Sequence, residues 1–111
     1  MKRTFVEAED FKEKIENLDE QGLLQTIQNE ILKDPEAGVL VKGTGGIRKF
    51  RVGARGKGKS GGIRVFYLDL PTKEKCYLLF ILEKSEAENI SAEEKKELKE
   101  FAQLLKKWRD L

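Results

Sequence analysis

Histidine is absent from these 111 residues. The side chain that most often acts as general acid or base near neutral pH is therefore not available. The single cysteine, Cys76, excludes an internal disulfide, and without a Cys/His cluster there is no zinc site. The acidic residues are not spaced as a cage for a divalent cation. No stretch approaches the roughly 18 apolar residues that a membrane span requires. The opening MKRTFVEAED lacks the apolar core of a secretory signal. One thiol and no signal read as a cytoplasmic protein with no metal, no cofactor and no membrane partner. Any catalyst built from this chain must rely on lysine, arginine, tyrosine or a carboxylate. Lysine becomes a base where neighbouring cations lower its proton affinity.

What is present is charge, and it is segregated. The formal net charge is only +2, from 22 cations and 20 acids. From Ala37 to Leu68 there is no acidic residue, but eight cations: Lys42, Arg48, Lys49, Arg51, Arg55, Lys57, Lys59 and Arg64. Nine of the ten glycines lie in the same window, and the remainder of the chain carries a net of −6. A mixed-sign surface is the usual outcome for a soluble domain, so a local +8 points to a polyanion docking on that region.

The length suits one domain, residues 1–111, and is too short for two. Residues 3–6 are β-prone. Phe11, Ile15 and Leu18 recur at helical spacing, and Leu23, Leu24, Ile27 and Ile31 mark a second helix with Asp19 as its expected N-cap. Lys33-Asp34-Pro35 ends that helix. The period then changes to two: Ile47–Val52 and Ile63–Leu70 read as strands, Pro71–Glu74 as a turn, and Cys76–Leu82 as a central strand buried on both faces. Ser91 and Glu94 fit a capping box that opens a last helix, with Leu98, Phe101, Ala102, Leu105 and Trp108 as its apolar stripe and Trp108 as its anchor. Tyr67 and Tyr77 read as packing residues. The expected fold is α+β in the order β-α-α-β-β-β-α. A mainly antiparallel, twisted sheet carries the two N-terminal helices on one side and also packs the C-terminal helix.

Two motifs compete for the basic window. Gly53-Ala54-Arg55-Gly56-Lys57-Gly58-Lys59-Ser60 matches the phosphate-binding pattern G-x-x-x-x-G-K-S, and Val65–Asp69 resembles the acidic strand that accompanies it. That chemistry needs the loop to open a helix whose amides hold the phosphates. Here two further glycines and a β-branched, aromatic run follow, so a nucleotide site is not expected. The second constellation is on the strands. Alternation puts Lys49 and Arg51 on one face and Phe50 and Val52 on the other, with Arg64 on the adjacent strand. Three converging cations repel one another unless an anion lies between them, and a phosphate fits best.

The runs Gly43–Val52 and Gly56–Tyr67 together resemble the RelE/ParE toxin superfamily, in particular its phage-derived HigB-like branch. The likeness continues through Tyr77–Ile81 and Glu83–Glu86, and into the last helix from Ile90 to Lys99. The resemblance implies a RelE-like fold and a type II toxin that enters the ribosomal A site and cleaves mRNA without a metal. The ribose 2′-oxygen would attack the adjacent phosphate while cations stabilise the added negative charge. Lys49 and Arg51 match the family's strand cations, Arg64 its phosphate-binding arginine, and Lys84 a basic position after the last strand. Arg48, Arg55, Lys57 and Lys59 would hold the RNA or ribosome backbone. The implied partners are mRNA, the ribosome with its rRNA, and a cognate antitoxin with a helix-turn-helix DNA-binding domain. Two departures stand out. Leu82 occupies the position of a second catalytic arginine in RelE, and no tyrosine follows the last strand, where RelE uses one to hold the base. The general acid and base are thus unassigned, with Lys49 the candidate base and Lys84 a supporting cation. The competing readings are a non-enzymatic, ParE-like inhibitor of DNA gyrase and an RNA-binding module without chemistry.

Overall fold

Two strands whose residues are apolar toward both faces form the centre of the molecule. In the computed structural model, which describes residues 2–53, 62–83 and 90–108, β4 (Ile63–Leu70) pairs antiparallel with β5 (Lys75–Glu83). One turn of 3-10 helix at Pro71–Lys73 joins them. Proline starts it without losing a needed donor, and Glu74 closes it in the left-handed region at φ 52°. On one side β5 pairs in parallel with β1 (Thr4–Glu7). On the other, β4 pairs with β3 (Arg48–Val52), and β3 with the two-residue β2 (Val39–Leu40), both antiparallel. The sheet order is β1-β5-β4-β3-β2.

Alternation gives the sheet two apolar faces, and helices cover both. α1 (Glu9–Leu18) and α2 (Leu23–Lys33) bury Phe11, Leu18, Leu23, Ile27 and Ile31 against Val52, Val65, Tyr67, Cys76 and Leu78. Side chains as fully buried as Phe11 and Ile27 contribute about 1.5–3 kcal/mol each. α3 (Ala92–Lys107) covers the opposite face, where Ala102, Leu98 and Leu105 pack on Ile47, Phe66, Leu68, Tyr77 and Leu79. The expected α+β layering is therefore observed, and so is the capping box. The Ser91 hydroxyl accepts from Glu94 N–H at 3.1 Å, and Ser91 N–H donates to the Glu94 carboxylate at 3.2 Å. Among the described residues no helix is long and apolar enough to cross a membrane.

Four details differ from the sequence reading. β2 is an additional strand; two residues are too few to show a period. Asp19 does not cap α2. It ends α1 at φ 45°, its N–H donating to Ile15 C=O at 3.2 Å, because aspartate tolerates the left-handed region. α2 starts instead from Gly22 at φ 81°. Trp108 does not anchor α3, since it is 63% exposed. Leu98, Ala102 and Leu105 face the sheet, which leaves Phe101, Leu104 and Trp108 as a second, outward stripe at i, i+3 and i+7.

Two polar features in this scaffold are structural. Asp69, in the acidic strand that resembled part of a nucleotide site, is taken up by Arg3: the guanidinium Nε donates to Asp69 Oδ1 at 2.7 Å and ties the start of β1 to β4. That hydrogen bond is the main cause of a raised Arg3 pKa. Cys76 is fully buried, and burial pushes its thiol up to about 12. It is therefore a small apolar core residue and not a thiolate nucleophile.

Candidate active site

β3 places its cations by simple alternation. Phe50 and Val52 turn toward α1 and α2 and join that core. Lys49 and Arg51 point to the α3 side of the sheet. The strand register adds what alternation alone does not specify. Arg51 stands directly opposite Arg64 on β4, and Arg64 opposite Leu82 on β5. In the next row, Val39 on β2 faces Lys49, and Lys49 faces Phe66. Directly paired side chains lie about 4.5–5.5 Å apart at Cβ, and like charges in that position destabilise a sheet. Ala37, Val39, Lys49, Phe50, Arg51 and Arg64 line one cavity of about 560 Å³ with no carboxylate among them. Three cations held around one concavity repel one another, and an anion with several oxygens would offset that repulsion. Among the described residues no three acidic, cysteine or histidine side chains gather as a metal site.

The wall of this cavity is a loop tied down from below. After Pro35 ends α2, Tyr67 on β4 reaches under the chain: its hydroxyl donates to Pro35 C=O at 2.7 Å and accepts from Gly38 N–H at 3.2 Å. Arg48 adds two bonds, from Nη1 to Glu36 C=O at 2.9 Å and to Gly38 C=O at 2.7 Å. Gly38 is required by this close approach, because a Cβ there would lie 2.6 Å from the Tyr67 hydroxyl. Tyr67 is 1% exposed, and burial is the main cause of its raised pKa. Arg48 thus points to the face opposite Lys49 and Arg51, where it holds the loop that carries Ala37 and Val39 into the cavity. Tyr67→Phe would leave a buried N–H and C=O without their partner, at a cost of about 1–3 kcal/mol. Denaturant unfolding should show that loss together with a fall in activity. An unchanged midpoint would mean that the loop does not depend on this hydroxyl.

The sequence-derived site residues therefore separate. Lys49, Arg51 and Arg64 come together, and Arg48 lies behind them. Arg55, Lys57, Lys59 and Lys84 lie outside the described residues, as does most of the glycine-rich segment. Sequence reasoning missed Val39, Ala37 and the Tyr67–Gly38 clamp. The one available signal was a chain break at Pro35 followed by an apolar Val39-Leu40 pair.

Residues 7–111 match the family model described as RelE toxin of the RelE / RelB toxin–antitoxin system. The chain belongs to the RelE toxin family. It is also similar to a solved structure of E. coli toxin RelE in the free state, a mutant with two arginines changed to alanine. The identity is 22%, 79% of this chain and 88% of that chain are covered, and the TM-score is 0.59. That likeness concerns the fold; the family match makes the protein a toxin of a toxin–antitoxin pair in the RelE/ParE superfamily. An antitoxin partner follows at the level of the family.

Proposed function

We propose that this toxin is a ribosome-dependent, metal-independent endoribonuclease that stops translation by cutting mRNA in the A site. The observation that carries the reading is the direct cross-strand pairing of Arg51 with Arg64, with Lys49 in the adjacent row of the same cavity. Two arginines placed directly opposite each other are an unfavourable cross-strand pair. A transition state with extra charge on its phosphate oxygens gains from both, because the donors are already fixed in place. In this mechanism the ribose 2′-oxygen forms a bond to phosphorus as the bond from phosphorus to the 5′-oxygen breaks. Arg51 and Arg64 bind the non-bridging oxygens. Lys49 takes the 2′-hydroxyl proton. The departing 5′-oxygen takes up a proton from solvent, and Lys84 adds a supporting cation. Arg48 acts through the loop, and Arg55, Lys57 and Lys59 hold the RNA and rRNA backbone. The protein acts in the cytoplasm as one domain, needs no cofactor, falls in the HigB-like branch, and is neutralised by an antitoxin with a helix-turn-helix DNA-binding domain.

The test is induced expression in bacteria, followed by primer extension on a translated mRNA. Growth should stop with protein synthesis, and new 5′ ends should appear within codons, only when ribosomes are engaged. Growth arrest with intact mRNA and stalled DNA gyrase would sink the nuclease reading in favour of an inhibitor.

A further inference from the structure

α3 carries two apolar stripes, and the sheet takes up one of them. Leu98, Ala102 and Leu105 pack on the sheet, while Phe101, Leu104 and Trp108 remain 42%, 63% and 63% exposed. Their spacing of three and then four residues is the repeat by which one helix packs along another. The stripe is also held in place. Lys73, in the turn between β4 and β5, donates from Nζ to Leu105 C=O at 3.1 Å and to Trp108 C=O. Lys106 Nζ donates to Gly45 C=O at 2.6 Å. The last turn of α3 is therefore tied down at two points, and Trp108 is presented to solvent from a fixed backbone. A tryptophan, a leucine and a phenylalanine exposed together are the composition of an interface centre.

The charges beside the stripe narrow the occupant. On the helix, Glu100 and Lys107 lie on the flank of the stripe away from the sheet, and Leu98 and Leu105 lie on the flank that the sheet covers. Phe101 precedes Leu104 by three residues and Trp108 follows it by four; Glu100 precedes it by four and Lys107 follows it by three. A two-fold axis at Leu104 that runs two copies of α3 antiparallel thus sets Phe101 of each copy beside Trp108 of the other. It also sets Glu100 of each beside Lys107 of the other. A parallel pair would instead turn Glu100 toward the Leu105 flank, which the sheet already occupies. Among the described residues neither Glu100 nor Lys107 has an ion pair. The face is self-complementary in charge and in apolar surface, as an isologous interface must be. Its three apolar side chains can bury a few hundred Å² per copy, below the ~800 Å² per partner of a stable complex, so the pair should be reversible.

We propose that the outward face of α3 is a homodimer interface, on which the same face of a second copy docks antiparallel about Leu104. The interface shares no residue with the cation cavity and does not depend on the RNA-cleaving reading.

The experiment is a dilution series of the full chain from about 1 mM to about 1 μM, the range in which so small an interface should dissociate. Sedimentation reads the mass, and fluorescence reads Trp108, the only tryptophan in the chain. A dimer should form at the high end, with the emission moving to shorter wavelength as it forms. Glu100→Lys and Lys107→Glu should each weaken the dimer about tenfold, because each turns two attractive contacts into repulsive ones. Mixed in equal amounts, the two variants should regain the affinity of the parent, since both opposite-charge contacts return in the heterodimer. Both positions are exposed, so the fold should persist, and circular dichroism of each variant reports that directly. A chain that stays monomeric at the highest concentration, a dimer indifferent to either charge change, or a mixture no tighter than its components would overturn the proposal.

Discussion

Arg64→Ala should lower the rate of ribosome-dependent mRNA cleavage by about 10²–10³-fold, the usual loss when one preorganised donor to a transition-state oxygen is removed. That is equivalent to about 2.7–4 kcal/mol of transition-state stabilisation. Arg64 is central in its row, opposite both Arg51 and Leu82. Leu82 brings no charge to this row, so no third cation compensates from β5. Arg51→Ala is the companion test, because it separates function from stability. It relieves two opposed positive charges, a cross-strand contribution of about 0.2–1 kcal/mol, so the unfolding midpoint should stay level or rise while activity falls. A purely structural arginine would behave in the reverse manner, with stability lost and activity kept. Single-turnover cleavage on programmed ribosomes and denaturant unfolding of the same preparations read the two quantities separately. Full activity in Arg64→Ala would remove this row from the mechanism.

The row itself shows how far a sequence can be read. Alternation in Ile47–Val52 is enough to put Lys49 and Arg51 on one face, because side-chain direction in a strand is a local property. The extent of β4, residues 63–70, is legible for the same reason: its apolar residues are bounded by glycines before and a proline after. The capping box at Ser91 is a four-residue pattern and needs no tertiary context. The pairing of Arg51 with Arg64 is different. It depends on how many residues the connection between β3 and β4 consumes, and one residue of slippage would move every partner. Val39 enters the cavity only because Tyr67 and Arg48, 28 and 9 positions further along the chain, hold the loop before it. Trp108 failed as an anchor because two apolar stripes overlap on α3 and the pattern does not say which one the sheet receives. Asp19 failed as a cap because aspartate, a good N-cap, also tolerates the left-handed conformation that ends a helix.

A 2′-deoxy nucleotide placed immediately upstream of the scissile phosphate should abolish cleavage and leave binding intact. The reason is the composition of the cavity. Among the described residues its lining offers two arginines, one lysine, an aromatic and two aliphatic side chains, and no carboxylate that could orient and deprotonate a water. The chain has no histidine to take that role. On the proposed mechanism the nucleophile comes from the substrate, and the 2′-hydroxyl is the oxygen already beside the phosphate. Arg51 and Arg64 would still bind the non-bridging oxygens of the deoxy substrate, so its affinity should change little; only the bond-forming step is missing. The charge that a metal pair supplies in two-metal nucleases would come from these cations, so cleavage should also persist under chelation once the ribosome's own Mg²⁺ requirement is met. The upstream product should end in a 2′,3′-cyclic phosphate or its 3′-phosphate hydrolysis product, and mass spectrometry of the fragment distinguishes these from a hydroxyl. Efficient cutting of the deoxy substrate, or a 3′-hydroxyl on the upstream fragment, would show that water attacks instead. The Arg51–Arg64 pair would then be an anion-binding site that orients the RNA for a catalyst located elsewhere.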